Sequence, residues 1–273
     1  MKNLTLLLTT VFVCSSVWAQ QEGAPPPADV SVTRLDCGTA SGPSDVGRFS
    51  DTYAYDGFRV QLTYSCYLIK HNDHYLVWDA GQPDNGDARA PKKNLVALLS
   101  ELKIKPEQIT YLGISHYHGD HIGQAPLLPK ATLLIGQGDW DALTGKTPNA
   151  MANPEPFANW ISGGGKVEPV PGDKDIFGDG SVTMLNMPGH TPGHHSLLVK
   201  LKNMGNLLIS GDLAHFHENY DNDRVPSFNT NRADTLASID RFKKIAEHLN
   251  ATVIIQHDAR DISKLPAFPK AAN

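Results

Sequence analysis

The sequence lacks the features that mark several large functional classes. Its 273 residues hold 24 Lys and Arg against 29 Asp and Glu, a formal charge of −5, with no run of basic residues. Nucleic-acid binding needs a lysine/arginine footprint, so no nucleic-acid partner is expected. Beyond the first residues no apolar run reaches bilayer-spanning length, so no membrane span is expected. Cysteine is scarce: Cys14, Cys37 and Cys66 are too few for a four-thiolate zinc site. What is present, 40% hydrophobic and 19% charged residues, is ordinary globular composition.

The N-terminus reads as an export signal over residues 1–19. Met1-Lys2-Asn3 supplies the positive end, Leu4 to Val13 the apolar stretch, and Val17-Trp18-Ala19 a cleavage site before Gln20. The Pro-rich "QQEGAPPPAD" then forms a leader over 20–30, and 31–273 reads as one domain without internal repeats. The expected location is periplasmic or secreted. Cleavage leaves Cys37 and Cys66 in an oxidising compartment, either as one disulfide or as two small buried apolar residues; the sequence does not choose.

Along that domain, "RVQLTYSCYLIKHNDHYLVWDAG" predicts a hairpin with strands near 59–70 and 74–79. "APKKNLVALLSELKI" carries Leu95, Leu98, Leu99 and Leu102 at helical spacing, and "QITYLGISH" is a short buried strand. The second half has strands in "ATLLIG" and "SVTMLNM", then a hairpin turning at 203–206. A helix follows with Leu236, Ile239, Phe242 and Ile245 on one face, capped by Asn231 or Thr230, and "ATVIIQH" is a last strand. Strands followed by helices, twice, predict an α/β fold with sheets packed between helical layers.

The richest chemistry lies in "GISHYHGDHIG", where three histidines and an aspartate fall within six positions. A metal site, an acid–base cluster and a solvated histidine-rich loop are the three possible readings. His116 and His118, two apart in an extended segment, project the same way and suit one ion. Asp120 and His121, beyond the turn at Gly119, suit a second. Four donors cannot complete two shells, so further ligands are required downstream. His190 after Gly189, Asp212 after Gly211, and His257 each follow a predicted strand. Strand ends are where scaffolded sites commonly sit.

His116-x-His118-x-Asp120-His121 followed by His190, Asp212 and His257 resembles the dinuclear pattern of the metallo-β-lactamase superfamily, in order. "LVWDAG" at 76–81 is similar to that family's early turn at Asp79. The resemblance implies an αβ/βα sandwich of two mixed sheets flanked by helices. It also implies two divalent metal ions, zinc by expectation. His116, His118 and His190 would hold one, Asp120, His121 and His257 the other, and Asp212 would bridge both. A bridging hydroxide would then be the nucleophile, since coordination lowers the pKa of water from about 15.7 to about 7.

Asp212 narrows the resemblance, because β-lactam hydrolases of the superfamily usually carry Cys or Ser there. The stretch "GDLAHFHENYDNDRVPSFNTNRADTLASIDRF" with "IIQHDARDISKLPAFP" resembles the N-acyl homoserine lactonase family. Its members carry Tyr three residues after the bridging Asp; here the position holds His215, which can donate the same hydrogen bond to an oxyanion. The implied reaction is lactone-ring opening, with Asp120 and His215 catalytic. A periplasmic metallo-β-lactamase, or another ester or organophosphate hydrolase of this fold, is the alternative. Phe49, Tyr53, Tyr55, Phe58, Met151, Phe157 and Trp160, bulky residues amid Gly, Pro and Asn, can line a pocket, form a dimer contact or pin their loops to the core; of these, Phe157 and Trp160 are expected to contact the acyl chain. One of His194 and His195 is expected beside the site and the other in solvent, with His71, His74, His217 and His248 on the surface. A homodimer is an expectation from the resemblance alone.

Overall fold

The computed structural model describes residues 28–147 and 149–273, so the expected signal peptide and most of the leader lie outside the described residues. The chain runs β1 (Val30–Asp36), a small ribbon of β2 (Ser44–Asp45) and β3 (Arg59–Val60), β4 (Ser65–His71) and β5 (His74–Trp78). It continues through α1 (Leu95–Glu101), β6 (Ile109–Ile114), α2 (Gly119–Ile122), β7 (Thr132–Gly136), α3 (Gln137–Leu143), α4 (Ala158–Ile161) and β8 (Val167–Val170). The second half holds β9 (Lys174–Asp175), β10 (Val182–Asn186), β11 (His195–Leu201), β12 (Gly205–Ile209), α5 (His217–Asp221), α6 (Arg232–His248) and β13 (Thr252–Ile254).

These strands form a six-stranded sheet, ordered β1-β4-β5-β6-β7-β8, and a five-stranded sheet, ordered β13-β12-β11-β10-β9. Both are mixed: β5 to β8 pair in parallel after an antiparallel start, and β13 is parallel to β12. The two-residue alternation of strands sorts the core into layers. Leu133 and Ile135 face α1 through Leu95, Leu98 and Leu99, while Leu134 faces the other sheet. Leu197, Val199, Leu207 and Ile209 meet it there, and Leu198 and Leu208 on the opposite face pack on Ile239 and Phe242 of α6. Helix, sheet, sheet and helix therefore stack in that order. No helix among the described residues is long and apolar enough to cross a membrane.

Two local expectations shift. The strand predicted over 59–70 breaks, because β3 pairs with β2 and Thr63 N donates instead to His257 O at 2.9 Å. Helix α6 starts after Asn231, whose side chain accepts from Asp234 N. Its first turns bury Thr235 and Ser238 more deeply than Leu236. The reason is polar: Ser238 Oγ donates to Pro188 O at 2.7 Å, so the helix grips the turn that carries His190.

Candidate metal centre

The C-terminal ends of β5, β6, β10, β12 and β13 open onto one edge of the sandwich, and every histidine-cluster partner lies just beyond one of them. His116, His118, His190 and Asp212 form one group and Asp120, His121 and His257 a second, with donor atoms in each within 4.8 Å of one another. Asp212 faces both. Its Oδ1 lies 2.9 Å from His257 Nε2 and 3.1 Å from His121 Nε2. Its Oδ2 lies 3.4 Å from His190 Nε2 and 3.5 Å from His116 Nε2.

The far sides of the rings show what this cluster is built to hold. His257 Nδ1 donates to Thr63 O at 2.7 Å, His190 Nδ1 to Asn229 Oδ1 at 2.8 Å, and His121 Nδ1 to Asp79 Oδ2 at 2.8 Å. A neutral imidazole carries one N–H, so in the neutral form each Nε2 would be left with a bare lone pair. Yet His121 Nε2 and His257 Nε2 stand 3.1 Å apart, and His190 Nε2 and His116 Nε2 stand 3.2 Å apart. Lone pairs cannot bond each other, and Asp212 Oδ1 is buried without a hydrogen-bond donor. Imidazole and carboxylate donors converging in this way fit divalent cations, zinc among them.

Electrostatics point the same way. Burial and the neighbouring His121 hold His116 far below the ordinary imidazole value, and burial with His190 brings His118 down to about 3. Burial raises the Asp212 carboxyl, but the surrounding His257, His121 and His215 outweigh it and keep the group well below the usual carboxylate range. His116 and His118 are thus held in the neutral form that binds metal, whereas Asp212 outweighs burial and raises His121 and His257, so this carboxylate draws positive charge to its other side.

A buried ring of acceptors and donors fixes these side chains. Asp79 sits at φ +60°, a costly conformation for a non-glycine residue. Its carboxylate is held by Ser115 N at 2.7 Å, Ser115 Oγ at 2.9 Å and Gln256 Nε2 at 2.7 Å, besides His121. Asp139, fully buried on α3, accepts from Tyr117 N at 3.2 Å, Thr191 Oγ1 at 2.8 Å and Gly193 N at 2.7 Å. It thereby ties the loop of His116 and His118 to the loop of His190. Burial pushes its carboxyl up to about 7 against those three bonds. His194 Nδ1 donates to Met187 O, leaving Nε2 to accept from Asp212 N at 2.9 Å. Gly211 makes room for that ring, since a Cβ there would lie 2.6 Å from His194 Nε2.

Asp139, Ser115, Gln256 and Asn229 escaped the sequence reading. Each looks in sequence like an ordinary polar residue of a loop or strand end, and only "IGQGDW", with Asp139 just past two glycines and a strand, offered a signal. His194 is the histidine beside the site, but His195 does not face solvent. It is fully buried, with ring nitrogens 2.8 Å from Gly193 O and 3.0 Å from Gly172 O. His71 is also buried, its Nε2 2.8 Å from Asp179 Oδ2 and its ring stacked on Phe177. His217 is half-buried beside Asp261, whereas His74 and His248 are exposed. Cys37 and Cys66 form a disulfide that closes the base of the 38–65 excursion.

Beside the cluster opens a cavity of about 460 Å³, whose lining includes Asp120, Asp212, His118, His215 and His257. Its apolar wall is Phe49, Leu62, Met151 and Phe228. His215 Nε2 lies 3.1 Å from Asp212 Oδ2, and its ring is met edge-on by Phe49 at 4.6 Å. Phe157 and Trp160 are not on this wall. Both are buried in the core against the helix-facing side of the first sheet, with Trp160 Nε1 donating to Ala131 O, so they pin the 144–165 segment rather than contact a ligand. Tyr53 is exposed, Phe58 partly so, and Tyr55 is packed against Phe216.

The family model of the metallo-beta-lactamase superfamily matches residues 60–257, and the chain belongs to that superfamily. Among its relatives, the N-acyl homoserine lactonase AttM of Azorhizobium caulinodans is 31% identical over 211 residues, 72% of each chain. The solved structure of a quorum-quenching N-acyl homoserine lactone lactonase superposes with a TM-score of 0.76 at 21% identity, covering 90% of this chain and 99% of its own. An N-acyl homoserine lactone hydrolase, solved with the product N-hexanoyl-L-homoserine at its catalytic metal center, superposes with a TM-score of 0.74 at 21% identity over 90% and 100%. The fold is thus the metallo-β-lactamase αβ/βα sandwich.

Proposed function

We propose that the protein is a dinuclear metal-dependent hydrolase that opens the lactone ring of N-acyl homoserine lactones outside the cytoplasm. The carrying observation is the Asp212 carboxylate, which turns one oxygen to His121 and His257 and the other to His116 and His190. Kinship with a protein named as a lactonase supports the substrate class.

His116, His118 and His190 would hold one cation and Asp120, His121 and His257 another, with Asp212 shared. When bound, the ions supply Lewis acidity, giving a nucleophilic water near neutral pH and a polarised carbonyl. The chain's own groups supply the rest. Water oxygen adds to the lactone carbonyl carbon, and the bond to the ring oxygen breaks. Asp120, 28% exposed at the cavity floor with Oδ2 3.6 Å from His257 Nε2, takes the water proton and returns it to the departing alkoxide. Burial brings His215 down to about 4, so it serves as a neutral donor to the developing oxyanion rather than as a cation. Phe49, Leu62, Met151 and Phe228 exclude water along the acyl chain. The product is an N-acyl homoserine bearing a new carboxylate.

The test is pH-stat hydrolysis of a long-chain acyl homoserine lactone beside nitrocefin, with and without chelator. Chelator-sensitive opening of the lactone is expected. Nitrocefin cleavage with an untouched lactone would instead make the chain a β-lactamase. Location outside the cytoplasm is supported by the signal-like residues 1–19 and by the Cys37–Cys66 bond. Fractionation with N-terminal sequencing tests it; a cytoplasmic chain beginning at Met1 would refute it.

A further inference from the structure

The cavity beside the cluster carries two cations that the lactone reading leaves unused. Arg48 and Arg89 both line it, both are exposed, and neither guanidinium has a carboxylate within 4.0 Å among the described residues. Asp87 lies near Arg89 but accepts from its backbone N, at 2.7 Å. The only acids on the lining, Asp120 and Asp212, turn toward the histidines. In a chain of net charge −5, the outer wall of this cavity is therefore locally cationic.

Arg48 is also held in place. Its guanidinium carbon stands 4.5 Å over the Phe228 ring, and its backbone O accepts from Ser227 N at 2.9 Å and Ser227 Oγ at 3.0 Å. Phe228 in turn lies edge-on to His215 and His190, with centroids 5.8 Å and 5.9 Å away, so Arg48 is separated from the histidine cluster by one aromatic ring. The ring contact pairs none of the guanidinium N–H groups with an acid, and a guanidinium can bind a carboxylate through two parallel bonds. A wholly aliphatic tail would desolvate these groups without pairing them, which is unfavourable.

We infer that the cavity selects lactones whose acyl group ends in a carboxylate, which Arg48 and Arg89 recognise. The inference rests on the lactonase reading for the ring and adds the chemistry of the tail. An exposed ion pair contributes modestly and is screened by salt, so the preference is expected at roughly tenfold for two arginines at low ionic strength.

The experiment compares, on the metal-loaded enzyme, a homoserine lactone bearing a hexanedioyl tail with its methyl ester. At low salt the carboxylate is expected to show about tenfold higher kcat/KM, carried mainly by KM. The ratio should shrink as sodium chloride is raised. In the double variant Arg48→Gln, Arg89→Gln it should fall to about one. A wild-type ratio at or below one, or a ratio that survives in a double variant of unchanged Tm, overturns the inference while lactone opening stands. If neither lactone is opened, the lactonase reading fails. Calorimetry with N-butyl adipamic acid and its methyl ester then decides the tail: tighter binding of the acid, lost in the double variant, supports the inference, and equal binding overturns it.

Discussion

Replacing Asp212 by Asn keeps the shape of the side chain and removes its charge from between the two histidine groups. The carboxylate stands 2.9–3.5 Å from the Nε2 atoms of His257, His121, His215, His190 and His116, so every donor in the shared region feels its loss. Two unit charges about 4 Å apart at an effective dielectric near 20 interact by roughly 4 kcal/mol. For a shared ligand to divalent cations, that is a floor. The variant should therefore lose at least about a thousandfold in affinity for one ion, since each 1.4 kcal/mol is tenfold. Its lactone turnover should fall with occupancy. The assay is metal content by mass spectrometry after dialysis against a series of buffered free-zinc concentrations, with circular dichroism to verify folding. A folded Asp212→Asn protein that keeps two ions at the wild-type midpoint would refute the shared-carboxylate reasoning.

Asp139→Asn leaves one of three buried donors facing an amide N–H₂, at a cost of about 1–3 kcal/mol. Because the native carboxyl is raised to about 7, its contribution to stability is full below the unfolded value of 3.8 and is lost as pH rises through 7. Urea melts should thus show the variant more destabilised at pH 5 than at pH 8; equal differences would contradict the raised carboxyl. Removing the Cys37–Cys66 bond, whose partners are 29 residues apart, should cost about 3–4 kcal/mol in chemical denaturation, and a Cys37→Ala, Cys66→Ala protein of unchanged midpoint would argue against it. His215→Phe should lower kcat for lactone opening by about 10²-fold with two ions retained, and His215→Tyr should restore much of it; full activity in the Phe variant removes His215 from catalysis. Phe157→Ala should destabilise by about 3–5 kcal/mol while leaving KM near the native value, and a selective rise in KM would return Phe157 to the cavity wall.

The sandwich was legible because its strands alternate. Leu133, Leu134 and Ile135 announce two faces, and α1 and α6 carry their leucine, isoleucine and phenylalanine stripes. The candidate metal cluster was legible because short-range spacing in 116–121 demanded partners, and each partner sits where a strand stops. Aromatic residues in the long 144–165 segment were misread for a physical reason: bulky side chains among Gly, Pro and Asn look alike whether they turn inward or toward a ligand. Phe157 and Trp160 turn inward. His195 was misassigned similarly, since burial through two backbone carbonyls leaves no mark in the sequence. Asp139 left only a faint signal and Gln256 none, because their partners are backbone groups and side chains distant in the chain.

Neither half of the sandwich owns the metal centre. His116, His118, Asp120 and His121 belong to the first sheet, and His190, Asp212 and His257 to the second. An ion gripped from both sides would act as a rivet across the seam, and its binding free energy would also be cohesion between the two sheets. Metal starvation would then do more than silence a catalyst: it would leave a looser molecule, parting first along the line where the halves join and offering that seam to proteases.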